Sequence, residues 1–254
     1  MRTRAVKYLG PLPRGSSRPV RVEADDGGIY VLKTRSAGQG VKTLVAEVIA
    51  TGLARAIGLL APDLAIVDFD PALAQGEIDG ELRESLARSP GDNLGIDWLP
   101  GARLVDPRID ADIRRAPASL IVWLDALIQN VDRTPKNPNL LSWHRRIWVF
   151  DHGVAFPFHF GDDDPRAAAR ERCPDLEGHV LLGAAGDLEE ADAAARRRLE
   201  GALERIVGAV PEAWIDAASP PTPRAAYVAY LEERLARSSE FVRELGAARG
   251  NLRA

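Results

Sequence analysis

Between Val131 and Val154 the chain runs VDRTPKNPNLLSWHRRIWVFDHGV, and this stretch leaves few folds open. Pro135 and Pro138 in a polar run exclude a helix from Asp132 to Asn139. Two short apolar segments follow, Asn139 to Trp143 and Ile147 to Phe150, separated by His144-Arg145-Arg146. They predict a hairpin whose second strand ends on Asp151-His152-Gly153. Upstream, Ala116 to Asn130 (APASLIVWLDALIQN) is apolar on almost every face and predicts a buried helix. That helix delivers Asp132 from a rigid support, which is what a catalytic group requires.

An isolated D-x-G is a common turn and carries no chemistry by itself. The compound pattern is more specific: an Asp, an Asn five residues on, a hairpin, and an apolar strand IWVF ending in D-x-G. Phosphoryl transfer uses these parts, with one Asp to orient or deprotonate an acceptor hydroxyl, an Asn for one metal ion and a second Asp for the bridging metal. Mg²⁺ takes a few oxygen ligands and completes its shell with phosphates, so Asn and Asp suit it.

The D-x-x-x-K-N run (Asp132, Lys136, Asn137) followed by Asp151 to Gly153 resembles the HipA-like kinase family. The segment DHGVAFP also resembles the D-x-G-x-A-F-P of phosphatidylinositol 3/4-kinases. His152 stands where ordinary protein kinases carry Phe, and Asn130-Val131-Asp132 replaces their H-R-D, so a eukaryotic-type protein kinase is disfavoured. The resemblance implies an α+β, two-lobed protein-kinase-like fold, with a β-rich N-lobe over residues 1–100 and a mostly helical C-lobe over 101–254. It implies ATP and Mg²⁺ as cofactors, with Asn137 and Asp151 on the metal, Asp132 aligning the acceptor and Lys136 lending charge to the departing γ-phosphoryl. The implied acceptor is a protein serine or threonine. A catalytically silent kinase-like binding module, a small-molecule or inositol-lipid kinase, and a toxin-like regulator of translation are the alternatives.

The N-terminal part fits that outline. Val20 to Ala24 and Ile29 to Thr34 predict two strands joined by Asp25-Asp26-Gly27-Gly28. Before them lies PLPRGSS, whose Gly15, Ser16 and Ser17 can lay amides and hydroxyls against phosphates, although an ordinary solvent loop fits equally well. HipA-like proteins carry a G-S-S-type element in this place. Lys33 occupies a polar position of the second strand, and Glu47 lies in an amphipathic helix predicted over Gly40 to Ile57. The resemblance makes them the pair that holds the α- and β-phosphates. Gly38-Gln39-Gly40-Val41-Lys42-Thr43 imitates a Walker A loop, but Val41 intervenes before the lysine. It is better taken as a helix start with Lys42 and Thr43 solvated. A strand over Leu64 to Phe69, a short helix near Ile78 to Ala87 and a strand over Asn93 to Leu99 complete this half.

Charge and composition narrow the partners. A net charge of −4 gives no global field for nucleic acid or anionic membrane. One cysteine, Cys173, forbids an internal disulfide and suits a reducing compartment. Without an apolar leader or a span of membrane length, the expectation is a cytoplasmic protein. The four histidines lack zinc-ligand spacing. The acidic Asp162 to Asp164 is compatible with a metal, a basic substrate or a plain solvated loop. Asp110 to Arg115 predicts a short helix, and Leu188 to Val207 and Pro223 to Ala247 predict two long ones. Their arginines, interleaved with glutamates, are expected to lie on solvated faces.

Overall fold

The Asp25-Asp26-Gly27-Gly28 turn does what its composition requires. Gly27 adopts φ +79°, and Asp26 accepts the Gly28 amide at 2.8 Å, so strands β2 (Val20–Ala24) and β3 (Ile29–Lys33) pair antiparallel around it. The computed structural model describes residues 1–12, 18–106 and 115–252. Gly15, Ser16 and Ser17 fall outside the described residues, as does nearly all of the helix expected over Asp110 to Arg115.

The described chain divides into two units, one comprising Met1–Leu44 and Pro62–Pro100 and the other Val45–Ala61 and Gly101–Ala254. In the first, β1 (Arg2–Pro11), β2, β3, β4 (Leu64–Phe69) and β5 (Gly91–Asp97) close into a barrel in the order β1-β2-β3-β5-β4. The β1–β4 pairing is parallel and closes the ring. Alternation sends Val20, Val22, Leu32, Ala65, Val67 and Phe69 inward, with Leu82 and Leu86 of α2 (Gly80–Ala87) packed on the same core. Gly95 permits this closure, since a Cβ there would stand 2.5 Å from a Val67 methyl. Lys33 is the last residue of β3 and is buried.

Helix α1 (Val41–Ala56) begins within the Walker-like sequence, directly after Gly38 and Gly40 turn the chain at positive φ. Lys42 corrects the expectation. It is buried and engaged rather than solvated, because the first turn of α1 faces inward.

The second unit is built around α3 (Arg115–Leu127), whose Ile121, Val122, Trp123, Leu124 and Leu127 are all buried. Trp123 donates its indole N–H to Asp192 at 2.8 Å and meets the Phe241 ring edge-on. Strands β6 (Arg103–Leu104), β7 (Leu140–Trp143) and β8 (Arg146–Val149) form a small antiparallel sheet. The β7–β8 turn is the two-residue His144-Arg145, both at positive φ, as a tight right-twisted hairpin demands. Val149 N–H donates to Leu60 carbonyl at 2.8 Å and ties the sheet to the segment following α1.

Helices α4 (Pro165–Ala169), α5 (Leu188–Leu199), α6 (Leu203–Gly208), α7 (Glu212–Asp216), α8 (Arg224–Ala236) and α9 (Ser238–Asn251) complete the unit. Each of the two long helices expected here is broken. Glu200 turns extended and Gly201 sits at φ +67°, which ends α5 before α6 starts. Arg237, at φ −109° and ψ 15°, leaves helical geometry between α8 and α9. The solvated-face expectation fails at Arg234, which is buried and donates to the carbonyls of Ala126, Leu127, Ala169 and Glu171. The last carbonyls of α3 have no partner within the helix, and a buried cation is well placed to take them. Among the described residues no helix is long and apolar enough to cross a membrane.

Candidate active site

Because α3 is pinned at its C-terminal end, the loop leaving it starts from a fixed point. Phe156 N–H donates to Ile128 carbonyl at 2.8 Å, so the segment after D-x-G is tied to the same end. The loop then folds back on itself: Thr134 and Asn137 exchange backbone hydrogen bonds, each 3.1 Å long, with Pro135 and Lys136 at the tip. Lys136 is exposed there.

This fold-back brings Asn137 against Asp132. Its side-chain amide donates to Asp132 Oδ2 at 2.8 Å, and the Asn139 amide donates to the same oxygen at 3.2 Å. A carboxylate only accepts, so each Asn must turn its NH₂ toward Asp132 and its carbonyl oxygen elsewhere. Asn137, itself exposed, is left with an oxygen available to a hard cation. The Asn139 amide also lies 3.5 Å from the Asp151 carbonyl, which links the loop to the D-x-G turn.

Asp151 sits at φ +60°, a left-handed conformation that Asp tolerates better than most residues. It is held there by Glu47. The Glu47 carboxylate accepts the Asp151 amide at 3.1 Å and the His152 amide at 2.9 Å, and His152 Nδ1 lies 3.3 Å away. Glu47 is 1% exposed, and His152 is fully buried. The residue expected to serve a lysine thus also fixes the turn that carries Asp151. The donor set of Asn137 and Asp151 consists of hard oxygens, few in number, and fits Mg²⁺ or Mn²⁺ completed by nucleotide phosphates.

Beneath the loop lies a buried ion pair that sequence reasoning missed. Arg133 Nε stands 2.5 Å from Asp125 Oδ2, and Nη2 lies 3.3 Å from Oδ1. The Arg133 side chain is fully buried and that of Asp125 is 2% exposed. Arg133 Nη1 donates to the carbonyls of Pro138 and Asn139. His179 Nε2 is 2.9 Å from Asp125 Oδ2, while its Nδ1 accepts the Leu181 amide at 3.0 Å, so the ring hydrogen belongs on Nε2. Burial pushes the Asp125 carboxyl up, but Arg133 and the His179 hydrogen bond outweigh it and hold the group well below the usual carboxylate range. A signal was present in the sequence, because one acid inside an otherwise apolar helix requires a buried partner.

Of the residues singled out from the sequence, Asp132 and Asn137 are bonded directly, and Asp151 is linked to them through the Asn139 amide, with Glu47 behind it. Lys136 is on the loop tip. Lys33 belongs to the barrel unit, and Gly15, Ser16 and Ser17 are not among the described residues.

The family model for HipA-like kinases matches residues 6–244. The chain belongs to the HipA-like kinase family. None of the curated proteins matches the chain by sequence. Two solved structures share its fold: the Golgi casein kinase with Mn/ADP bound, at 12% identity and TM-score 0.52, and the Helicobacter pylori proinflammatory kinase CtkA, at 11% identity and TM-score 0.54. The first match covers 94% of this chain and 73% of that kinase, and the second covers 97% and 98%. The protein-kinase-like fold expected from the sequence is therefore the fold of this HipA-like kinase, with a β-rich N-terminal part and a helical C-terminal part.

Proposed function

We propose that this HipA-like kinase transfers the γ-phosphoryl of Mg-ATP to a hydroxyl, most favourably that of a protein serine or threonine. The observation that carries the proposal is the convergence of Asn137 and Asn139 on one oxygen of Asp132, with Asn139 reaching on to Asp151. Oδ2 of Asp132 is occupied by two amide donors, so Oδ1 is the atom offered to the acceptor. The acceptor oxygen–phosphorus bond forms as the bond from the γ-phosphorus to the bridging oxygen breaks. ADP leaves with that electron pair, and the hydroxyl proton passes to the Asp132 carboxylate.

Asn137 and Asp151 would hold the divalent ion, which would supply charge neutralisation to the nucleotide phosphates. Lys33, with Glu47 as its partner, is assigned to the non-transferred phosphates on the family pattern, and Lys136 to the γ-phosphoryl. Gly15, Ser16 and Ser17 are assigned to phosphate contacts on the same ground. The transition state is loose, so positioning and charge supply most of the rate. The N-lobe over 1–100 and the C-lobe over 101–254 are the working division. The Mn/ADP of the Golgi casein kinase supports the nucleotide and metal assignment by likeness of fold. A protein acceptor is favoured over a lipid by the net charge of −4 and by the resemblance to HipA-like proteins.

The test is calorimetry. With so few protein oxygens, metal alone should bind weakly, and ATP should bind tightly only with Mg²⁺ or Mn²⁺ present. Asp151→Ala should abolish that metal dependence and weaken Mg-ATP binding by roughly 10–100-fold. Tight binding that ignores both the metal and the substitution would refute the assignment. No nucleotide binding at all would point instead to a catalytically silent binding module.

A further inference from the structure

Two features of the loop lie behind the reacting groups. One is the Arg133 side chain, wholly buried and spread over Asp125 and two carbonyls. The other is Asn139, 4% exposed, at φ +48°, with its amide on Asp132. They are continuous, because Arg133 holds Asn139 by its carbonyl and Asn139 holds Asp132 by its amide.

We propose that Asn139 is a positioning residue for phosphoryl transfer, held by the Asp125–Arg133 pair and fixing the rotamer of Asp132 so that Oδ1 faces the acceptor. This inference rests on the assignment of Asp132 as the hydroxyl-orienting group. A short side chain on a loop keeps its rotamer freedom unless neighbouring groups hold it. Asp132 is only half buried; its amide donates to Asn130 Oδ1 at 3.3 Å, and its carbonyl lies 3.4 Å and 3.5 Å from the same Asn137 and Asn139 side-chain amides that reach its carboxylate. Of its two amide donors, Asn137 is exposed and is also wanted by the metal, so it cannot be relied on to hold Asp132 in every state. Asn139 is buried and has no such second duty. Its carbonyl is gripped by a guanidinium whose planar fork is already fixed on Asp125, so the amide is presented from a rigid frame. The same amide lies 3.5 Å from the Asp151 carbonyl, which sets the spacing between the acceptor-facing and metal-binding segments.

Asn139→Asp and Asn139→Gly separate this role from a purely structural one. Both residues accept a left-handed backbone, and Asp also fills the same space. A structural role would be satisfied by either. A positioning role fails in both, and fails more in Asn139→Asp, which sets a carboxylate against Asp132 Oδ2. In the full chain, with ADP release from Mg-ATP as the readout, kcat should fall about 10²-fold while KM for ATP and Mn-ATP affinity by calorimetry stay near wild type. Arg133→Lys keeps the charge but loses the fork, and should lower kcat in the same direction.

A readout independent of turnover is the Asn139 side-chain amide resonance, assigned by its loss in Asn139→Asp. It should shift in Asp132→Ala and in Arg133→Lys. An amide unmoved by both overturns the proposal whether or not the chain turns over ATP. Unchanged kcat in Asn139→Asp, or a fall in kcat matched by equal losses of melting temperature and nucleotide affinity, overturns it too. A wild-type chain that binds no nucleotide contradicts the phosphotransferase assignment instead, and leaves the amide measurement to decide this one.

Discussion

Asp132→Asn should leave nucleotide binding and folding intact and remove phosphoryl transfer. The asparagine can present its carbonyl oxygen to the Asn137 and Asn139 amides, where Asp132 Oδ2 now stands, so the loop keeps both bonds. Only the acceptor-facing atom changes, from an oxygen that can take a proton to an NH₂ that cannot. A positioned base contributes about 10²–10⁴-fold, and kinases turn over at about 1–100 s⁻¹, so the remaining rate would sit near background. Expressed as barrier height the loss is about 3–5 kcal/mol. Asp132→Ala should cost as much in rate and also free the two amides, so its loop should melt more easily. Rates from radiolabelled ATP, set beside Mg-ATP affinities from calorimetry, check both variants. Wild-type turnover in Asp132→Asn would remove Asp132 from the chemistry.

The parts of this site visible in the sequence are those encoded locally. The hairpin and the strand ending in D-x-G could be placed from the pattern, but the turn is one residue shorter than expected: Arg146 joins β8, and His144-Arg145 alone turn the chain at positive φ. The interval of five from Asp132 to Asn137 is spanned by a proline turn, which brings the two side chains to 2.8 Å. Contacts between distant segments were not encoded in this way. Glu47 accepting the amides of Asp151 and His152 spans 104 and 105 residues, and no periodicity announces it. Arg234 reaches Ala126 carbonyl across 108 residues, and its neighbouring glutamates disguised it as a surface charge. The breaks at Glu200-Gly201 and at Arg237 were hidden because charged, alanine-rich sequence keeps a helical pattern through one or two residues that leave helical geometry.

The Asp125–Arg133 pair yields the largest expected change in stability. Asp125→Ala leaves the guanidinium of Arg133 buried without its counter-charge, a loss of about 3–5 kcal/mol. Total stabilities are commonly about 5–15 kcal/mol, and a chain this size loses about 2–4 °C per kcal/mol, so the melting temperature should drop by roughly 6–20 °C. The pH dependence has a defined sign. The folded carboxyl titrates below its unfolded value, so the pair stabilises the fold fully above an ordinary carboxyl pKa of about 4, and that contribution is lost as pH falls toward the depressed folded value. Wild type should therefore lose stability on acidification more steeply than Asp125→Asn, and denaturant titrations from neutral to acid pH would measure the difference. Replacing both partners separates folding from positioning. Asp125→Leu combined with Arg133→Met removes the buried charges together, and such exchanges are often neutral or stabilising by about 1–4 kcal/mol. Melting temperature should then recover relative to Asp125→Ala. The Asn139 carbonyl would still lack its guanidinium donor, so transfer should stay low in a chain that folds well. Recovery of both together would mean that the ion pair serves the fold alone.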